Sequence, residues 1–381
     1  MKKGWKTVPL GELCDVLDHK RKPITKRDRE AGEYPYYGAT GVLDHVAGYL
    51  FDEPLVLVGE DGAKWASGEN TAFAVEGKIW VNNHAHVLRP HRNTLLDKWL
   101  IYHLNHTDLT EFVSGLTVPK LNQGSLREIP VLVPPLAEQQ RIVGLLDEAF
   151  EGLATAKANA EKNLQNARAL FESHLQSVFA QRGLGWVETT IGAEIKFIDY
   201  RGKTPVKTTS GVRLVTAKNV KMGFLQETPM EFIATASYKG WMTRGIPQKG
   251  DVLFTTEAPL ANVAQLDTDE KVAFAQRIII MQPNAARLDS TCLKYLLLSQ
   301  PVQQRIRTKG TGATVQGIKA SLLKLIEISF PKSLATQVQI VSKLDDLRDE
   351  TQRLARLYER KHAALEALKK SLLHQAFTGE L

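Results

Sequence analysis

From Ile340 onward the chain sets Ile340, Leu344, Leu347, Thr351, Leu354, Tyr358, Lys361, Leu365, Leu368 and Leu372 at strict four-three spacing. Eight of these ten are apolar or aromatic, the seam of a coiled coil held for more than about four heptads. The same register runs through Ile142, Leu146, Ala149, Leu153, Ala156, Ala160, Asn163, Ala167, Leu170 and His174. Between Leu136 and Ala180 only Gly144 and Gly152 oppose helix, and no proline interrupts. Two helices of about 45 residues, each roughly 65–70 Å long, are predicted. An Ala-rich seam facing a Leu-rich one predicts antiparallel packing, with Leu136 near Phe377 and not near Leu334. The alternative is that each helix docks on its own globular domain.

The two helices are copies. At an offset of 198, Leu136–Phe179 aligns without a gap to Leu334–Phe377. PPLAEQQRIVGLL at 134–146 answers PKSLATQVQIVSKL at 331–344, with Gln139 on Gln337. Upstream the match loosens: Trp5, Leu10, Gly11 and Asp18 correspond to Trp186, Ile191, Gly192 and Asp199, and Tyr102 corresponds to Tyr295. Gly115, Thr117, Val118, Leu126, Ile129 and Pro134 correspond to Gly312, Thr314, Val315, Leu323, Ile326 and Pro331. A period of nearly half the chain predicts a pseudo-twofold repeat. It divides the chain into a globular domain at 1–133, a helix at 134–181, a second globular domain at 182–331 and a second helix at 332–381. Apolar β-branched runs bounded by Gly and Pro predict strands at 53–59, 78–90, 250–256 and 277–283. Helical patterns occupy 95–106 and 292–306, where Pro301 fits a first turn or a kink. The fold class is α/β (α+β), two globular domains separated by two long antiparallel coiled-coil helices.

Charge narrows the partner. The formal net charge is +7 and the pI about 9.2, which fits nucleic acid without requiring it. DHKRKPITKR at 18–27 sets six basic side chains around one proline, and DYRGKTPVK at 199–207 repeats the theme. TAKNVKMGF (216–224) and YKGWMTRG (238–245) place Lys, Asn and Arg beside aromatics. Such cations contact phosphates, and Arg, Asn and Lys read base edges. Each patch alone is more readily a solvated loop than a contact surface; their recurrence in both halves favours DNA. No apolar run reaches a membrane span, MKKGWKTVPLGEL lacks a signal-peptide core, and two distant cysteines, Cys14 and Cys292, fit a cytoplasmic setting.

Catalytic motifs fail. Gly202-Lys203-Thr204 resembles the end of a P-loop, but Phe197 stands where the upstream glycine is needed. His84 and His86, alternating on a predicted strand, suggest zinc, yet no third ligand is apparent and no metal is expected. Glu60-Asp61 reads as a tight acidic turn, a cation ligand or an acceptor for a cytosine amino group.

The segments DYRGKTP, GDVLFTTEAPLANVA (250–264), LVGEDGA (57–63), VPPLAEQQRIVGLLD, FPKSLATQVQIVSKLDD and LLHQAFTGEL (372–381) together resemble the specificity subunit of type I DNA restriction-modification systems. The resemblance spans nearly the whole chain. It implies a non-catalytic chain whose two target-recognition domains each read half of a split double-stranded DNA target. It implies partners: two modification (methyltransferase) subunits and restriction/translocase subunits. S-adenosylmethionine, Mg²⁺ and ATP would be held by those partners, with no cofactor in this chain. The helices, through Ile142, Leu146, Leu153, Leu170, Ile340, Leu344, Leu347, Leu354, Leu365, Leu368 and Leu372, would form the spacer and the docking surface. LVGEDGA against FTTEAPLANVA implies that the two domains read different sequences.

Candidate DNA contacts in the first domain are Lys20, Arg21, Lys22, Lys64, Asn83, His84 and Lys120. In the second they are Arg201, Lys203, Lys218, Asn219, Lys239, Arg244, Asn262 and Arg277. The rival readings are a coiled-coil adaptor with incidental basic loops and a stand-alone nuclease using acidic-x-Lys triplets such as Glu194-Ile195-Lys196.

Overall fold

The computed structural model describes residues 4–115, 117–181, 183–202, 204–275, 277–312 and 316–381. Lys203, Thr314 and Val315 lie outside the described residues. The chain forms two compact units, Met1–Glu161 with Glu359–Leu381, and Lys162–Tyr358.

In the first unit a four-stranded antiparallel sheet runs in the order Cys14–Val16, Ala85–Pro90, Leu55–Gly59, Ala72–Val75. Every residue of Leu55–Gly59 is buried. Its side chains alternate between two cores: Val56 and Val58 join Trp5, Leu88 and Trp99, while Leu55 and Leu57 join Phe51, Ile79 and Val87. Burial on both faces is why this strand reads as a continuous apolar run. The second core is closed by a sheet ordered Gly41–Val46, Ala31–Gly38, Lys78–Val81, Phe51–Asp52. The 78–90 run is therefore two strands in two sheets. The break falls at Asn82, whose side chain accepts the His84 N–H at 2.8 Å.

The second unit repeats this plan. Its main sheet is ordered Ile195–Asp199, Ile278–Pro283, Val252–Thr256, Leu260–Gln265, again wholly antiparallel. Val252 and Phe254 face one core and Leu253 the other. The smaller sheet is ordered Glu231–Ile233, Val212–Val215, Val272–Phe274. The 292–306 pattern is two helices, Ser290–Leu298 and Gln300–Lys309, with Pro301 in the first turn of the second. Cys14 and Cys292 sit one in each unit, and burial pushes both thiols up to about 12.

Identical bonds fix the start of each long helix. Gln139 is fully buried; its Oε1 accepts from Leu96 N (2.9 Å) and its Nε2 donates to the carbonyls of Thr94 (2.9 Å) and Pro134 (2.8 Å). Gln337 repeats this with Asp289 N (2.7 Å), Arg287 O (2.8 Å) and Pro331 O (2.7 Å). Tyr102 donates to Asp147 at 2.5 Å, and Tyr295 donates to Asp345. Gly11 and Gly192 recur because a Cβ there would lie 2.9 Å from the Arg127 Cβ and 2.8 Å from the Lys324 Cβ.

The long helices are Leu136–Ala180 and Leu334–Thr378. Within the first unit they run antiparallel. Arg141 donates to Leu381 O (2.7 Å), Lys157 pairs with Glu366 (2.7 Å) and Glu161 meets His362 (3.2 Å), so one number rises as the other falls. Leu136 and Phe377 share this unit, whereas Leu334 belongs to the other. Within the second unit Leu175 and Phe179 share a buried cluster with Leu344.

The strict heptad seam needs two corrections. First, Ile142, Leu146 and Leu344 are buried inside the globular cores as well as against the other helix, so each helix start also docks on its own domain. Second, Leu170 is 53% exposed and Leu368 is 47% exposed. An α-helix of 3.6 residues per turn drifts about 20° per heptad against a 3.5 repeat, so after four heptads the contact face moves by about one residue. Leu175, Phe179, Leu373 and Ala376 are the buried positions beyond that point. Leu153, Ile340, Leu347, Leu354, Leu365 and Leu372 are half-buried.

Candidate nucleic-acid interface

At one end of the first unit's main sheet, five polar side chains close on one another: two acids, two bases and a histidine. Asp18 follows the edge strand, Glu60 follows Leu55–Gly59, and His86 lies in the strand between them. Asp18 Oδ2 meets His86 Nδ1 at 2.6 Å, and Asp18 Oδ1 accepts the Val87 amide at 2.9 Å. His86 Nε2 donates to Leu121 O at 2.7 Å. Arg21, only 12% exposed along its side chain, reaches Asp18 at 3.2 Å, pairs with Glu60 and donates to Ala85 O at 2.8 Å. Lys120 closes the set on Glu60 at 2.8 Å. Burial raises the Asp18 carboxyl, but His86, the Val87 amide and Arg21 outweigh it and hold the group below the usual range. Burial likewise opposes ionisation of Glu60, and Lys120 and Arg21 prevail.

The ligand atoms of Asp18, Glu60 and His86 lie within 4.8 Å of one another. Arg21 and Lys120 already neutralise the two carboxylates, and His86 uses both ring nitrogens. The group is an ion-paired core that holds loops, not a donor set for a cation. His84, no longer in strand alternation with His86, turns instead to Asp61.

This geometry sorts the first domain's candidates. Arg21 and Lys120 are committed to carboxylates and act by positioning the loops at 18–28 and 60–65. Lys20, Lys22, Lys64 and Asn83 are exposed. Lys22 is anchored through its backbone, its carbonyl accepting Trp80 Nε1 at 2.6 Å, while its side chain is exposed.

The second unit builds a different end on the same sheet. Arg201 grips Asp199 through Nε (2.8 Å) and Nη2 (2.6 Å). Burial raises the Asp199 carboxyl, and Arg201 holds it below the usual range. Arg244 donates to the Asp199 and Arg201 carbonyls at 2.5 and 3.1 Å. Arg277 pairs with Glu257 at 3.2 Å and has φ of +72°, a left-handed conformation costly for a non-glycine residue. Arg201, Glu257, Arg277 and Lys319 line a cleft of about 480 Å³. Of the sequence candidates, this cleft gathers Arg201 and Arg277. Lys218 and Lys239 are exposed elsewhere.

One candidate is overturned and a second is partly engaged. Asn219 is 1% exposed: its Oδ1 accepts from Thr216 N (3.0 Å), and its Nδ2 donates to Gln226 O (3.1 Å) and Pro229 O (3.0 Å). Asn262 donates to Val220 O at 2.9 Å. The Asn219 amide satisfies loop backbone and has nothing left for a base, whereas Asn262 commits one amide N–H. Sequence reasoning missed Lys319 and the roles of Asp18 and Glu257. The recurrence of Asp18 as Asp199, and of an acid directly after a fully buried strand (Glu60, Glu257), was the available signal.

The paired scaffold and its two charged ends define a chain built for two related recognition tasks. The family model for the type I restriction modification DNA specificity domain matches residues 2–164 and 203–359, and the chain belongs to that family. It is the DNA-recognition component, and in such systems catalysis resides in partner subunits. A chain of Haemophilus influenzae named as a type I restriction enzyme specificity subunit is 28% identical over 90% of this chain and 86% of its own. The MjaVIII specificity subunit of Methanocaldococcus jannaschii is 20% identical over 99% and 93%. Among solved structures, a chain of a type I system described in complex assembly covers 100% of this chain and 99% of its own, with a TM-score of 0.76 at 19% identity. The HsdS subunit of Thermoanaerobacter tengcongensis covers 100% and 98%, with a TM-score of 0.59 at 18% identity; these likenesses establish the fold. Among the described residues no helix is long and apolar enough to cross a membrane.

Proposed function

We propose that each unit reads one half of an asymmetric, bipartite double-stranded DNA target in the major groove. The observation that carries this is one sheet topology ending in two different charged surfaces: Glu60, His84 and Lys120 in one unit, Glu257, Arg277 and Lys319 in the other. Lys20, Lys22, Lys64, Lys218 and Lys239 contact phosphates, while Asn83, His84 and Arg277 face base edges and Arg201, held by Asp199, shapes the cleft beside them. Each base reader contributes about 1–3 kcal/mol of discrimination, whereas losing one phosphate lysine lowers the salt slope by about 1 for all sequences. The long helices fix the number of unread base pairs and dock two modification subunits. S-adenosylmethionine, Mg²⁺ and ATP are held by those partners and by a translocating restriction subunit, in the cytoplasm.

Exchanging 199–244 for the matching stretch of a relative with another target tests the modular reading, with methylome sequencing of cells carrying the full system as readout. One half-site changes if the reading holds; a change in both would refute it. Inserting four residues in the first helix adds about 6 Å and turns the chain beyond by about 40°. Altered spacer length or lost binding is expected, and unchanged spacing would remove the ruler.

A further inference from the structure

The second unit holds a cavity of about 1140 Å³ bounded by parts of both long helices, the two helices at 290–309 and the loop at 222–224. Two largely buried polar side chains of its lining, Lys294 and Gln303, keep polar atoms without a partner among the described residues. Lys294 is 5% exposed, and its ammonium lies 4.4 Å over the Tyr295 ring with no hydrogen-bond acceptor among the described residues. Gln303 is 4% exposed; its Nε2 donates to the Ala261 and Leu297 carbonyls, but its Oε1 is buried without a partner. Burial, aided by Arg348, pushes the Lys294 ammonium down against Asp345 and Asp289. A cation in the cavity wall with no acceptor of its own calls for a ligand that brings a carboxylate.

The rim is apolar. Met222 is 46% exposed and Phe224 58% exposed, above a wall of Phe171 and Leu298. The first unit lacks this site. At the position matching Arg348 it has Phe150, packed on Tyr102 at 5.4 Å and capped by Lys369 at 5.4 Å, and beside Tyr102 it has Ile101 where Lys294 stands.

We propose that this cavity is a docking pocket for an acidic side chain, flanked by apolar residues, on the modification subunit. The carboxylate pairs with Lys294, and Met222 and Phe224 clamp the apolar neighbours. Charge complementarity selects this occupant, because the buried ammonium lacks a counter-charge of its own in contact. The inference rests on the proposal that the helices dock modification subunits.

The test is titration of purified modification subunit onto immobilised full-length chain. Lys294→Met should weaken binding at least tenfold and flatten its salt dependence. Phe224→Ala, at an exposed rim position that leaves the fold intact, should weaken it about fivefold, and Ile101→Ala in the other unit should leave this site's affinity unchanged. Wild-type affinity in both Lys294→Met and Phe224→Ala overturns the pocket while leaving subunit docking standing. No binding by the wild-type chain overturns the docking proposal itself. Saturable binding of 3-phenylpropionate that depends on Lys294, with subunit binding unaffected, also overturns the pocket, since the occupant is then a small carboxylate.

Discussion

The two units keep the same bonds where backbone must be satisfied and differ where a partner is met. Gln139 and Gln337 each satisfy one amide and two carbonyls at the junction between domain and helix. At the sheet ends the likeness fades: a closed network of Asp18, Arg21, Glu60, His86 and Lys120 in one unit, an open cleft with Arg277 in the other. A junction admits few solutions, because an unpaired buried group is costly wherever it occurs. A reading surface admits many, because its partner sets the requirement.

The sharpest way to break this comparison is at the clasp. Gln139→Leu and Gln337→Leu each leave one N–H and two carbonyls without partners. Each should cost about 3–5 kcal/mol in its own unit. Hydrogen exchange at the amides of Leu96 and Asp289 localises the loss. If one variant were severe and the other nearly silent, the clasps would not be equivalent.

Acid separates the units next. His103 is buried in the first unit, and burial, with the nearby His106, lowers it to about 4; its Nε2 accepts the Leu132 amide at 3.2 Å. The second unit has the buried Leu296 beside the matching tyrosine. Because the folded value lies below the unfolded 6.5, the unfolded chain takes up the proton first as pH falls. The first unit therefore keeps this stability above pH 6.5 and loses about 3 kcal/mol by pH 4. Asp18 and Asp199, both lowered, add losses only as pH falls below about 3.8. Denaturant unfolding across pH 4–6.5 should show the first unit weakening alone, and His103→Gln should abolish the difference. Parallel weakening of both units would assign the effect elsewhere.

The repeat was legible because its constraints are local. A buried glutamine one turn into a helix, and a glycine against a neighbouring chain, recur at fixed spacing and survive divergence. Arg21 and Asn219 were misread, and Asn262 in part, because a polar residue type does not reveal whether its partner is DNA, water or its own backbone. Arg21 meets Glu60 across 39 residues and Asn262 meets Val220 across 42, distances over which no periodicity speaks. The cleft residues Glu257 and Lys319 were hidden for the same reason.

At the reading surfaces the expected effects are smaller and opposite in kind. Arg277→Ala should cost about 1–3 kcal/mol on the cognate second half-site and little on random DNA. Arg21→Ala should instead loosen the whole first surface, lowering thermal stability and affinity together, because it uncovers Asp18 and Glu60. Binding assays against single-base variants of each half-site distinguish them. A stable Arg21→Ala protein that loses only one base preference would return Arg21 to the readers.

The smallest effect tests the helices themselves. A strict heptad makes Leu170 and Leu368, equivalent in the two copies, seam residues whose truncation would cost about 2–5 kcal/mol. The structure turns both outward, because the drift between 3.6 and 3.5 residues per turn has moved the contact to Leu175 and Leu373. Leu170→Ala and Leu368→Ala should therefore change the stability of the free chain by less than about 0.5 kcal/mol, while Leu175→Ala and Leu373→Ala should each cost about 2 kcal/mol or more. Chemical denaturation of the four variants decides between the two registers, since one predicts the reverse order of the other.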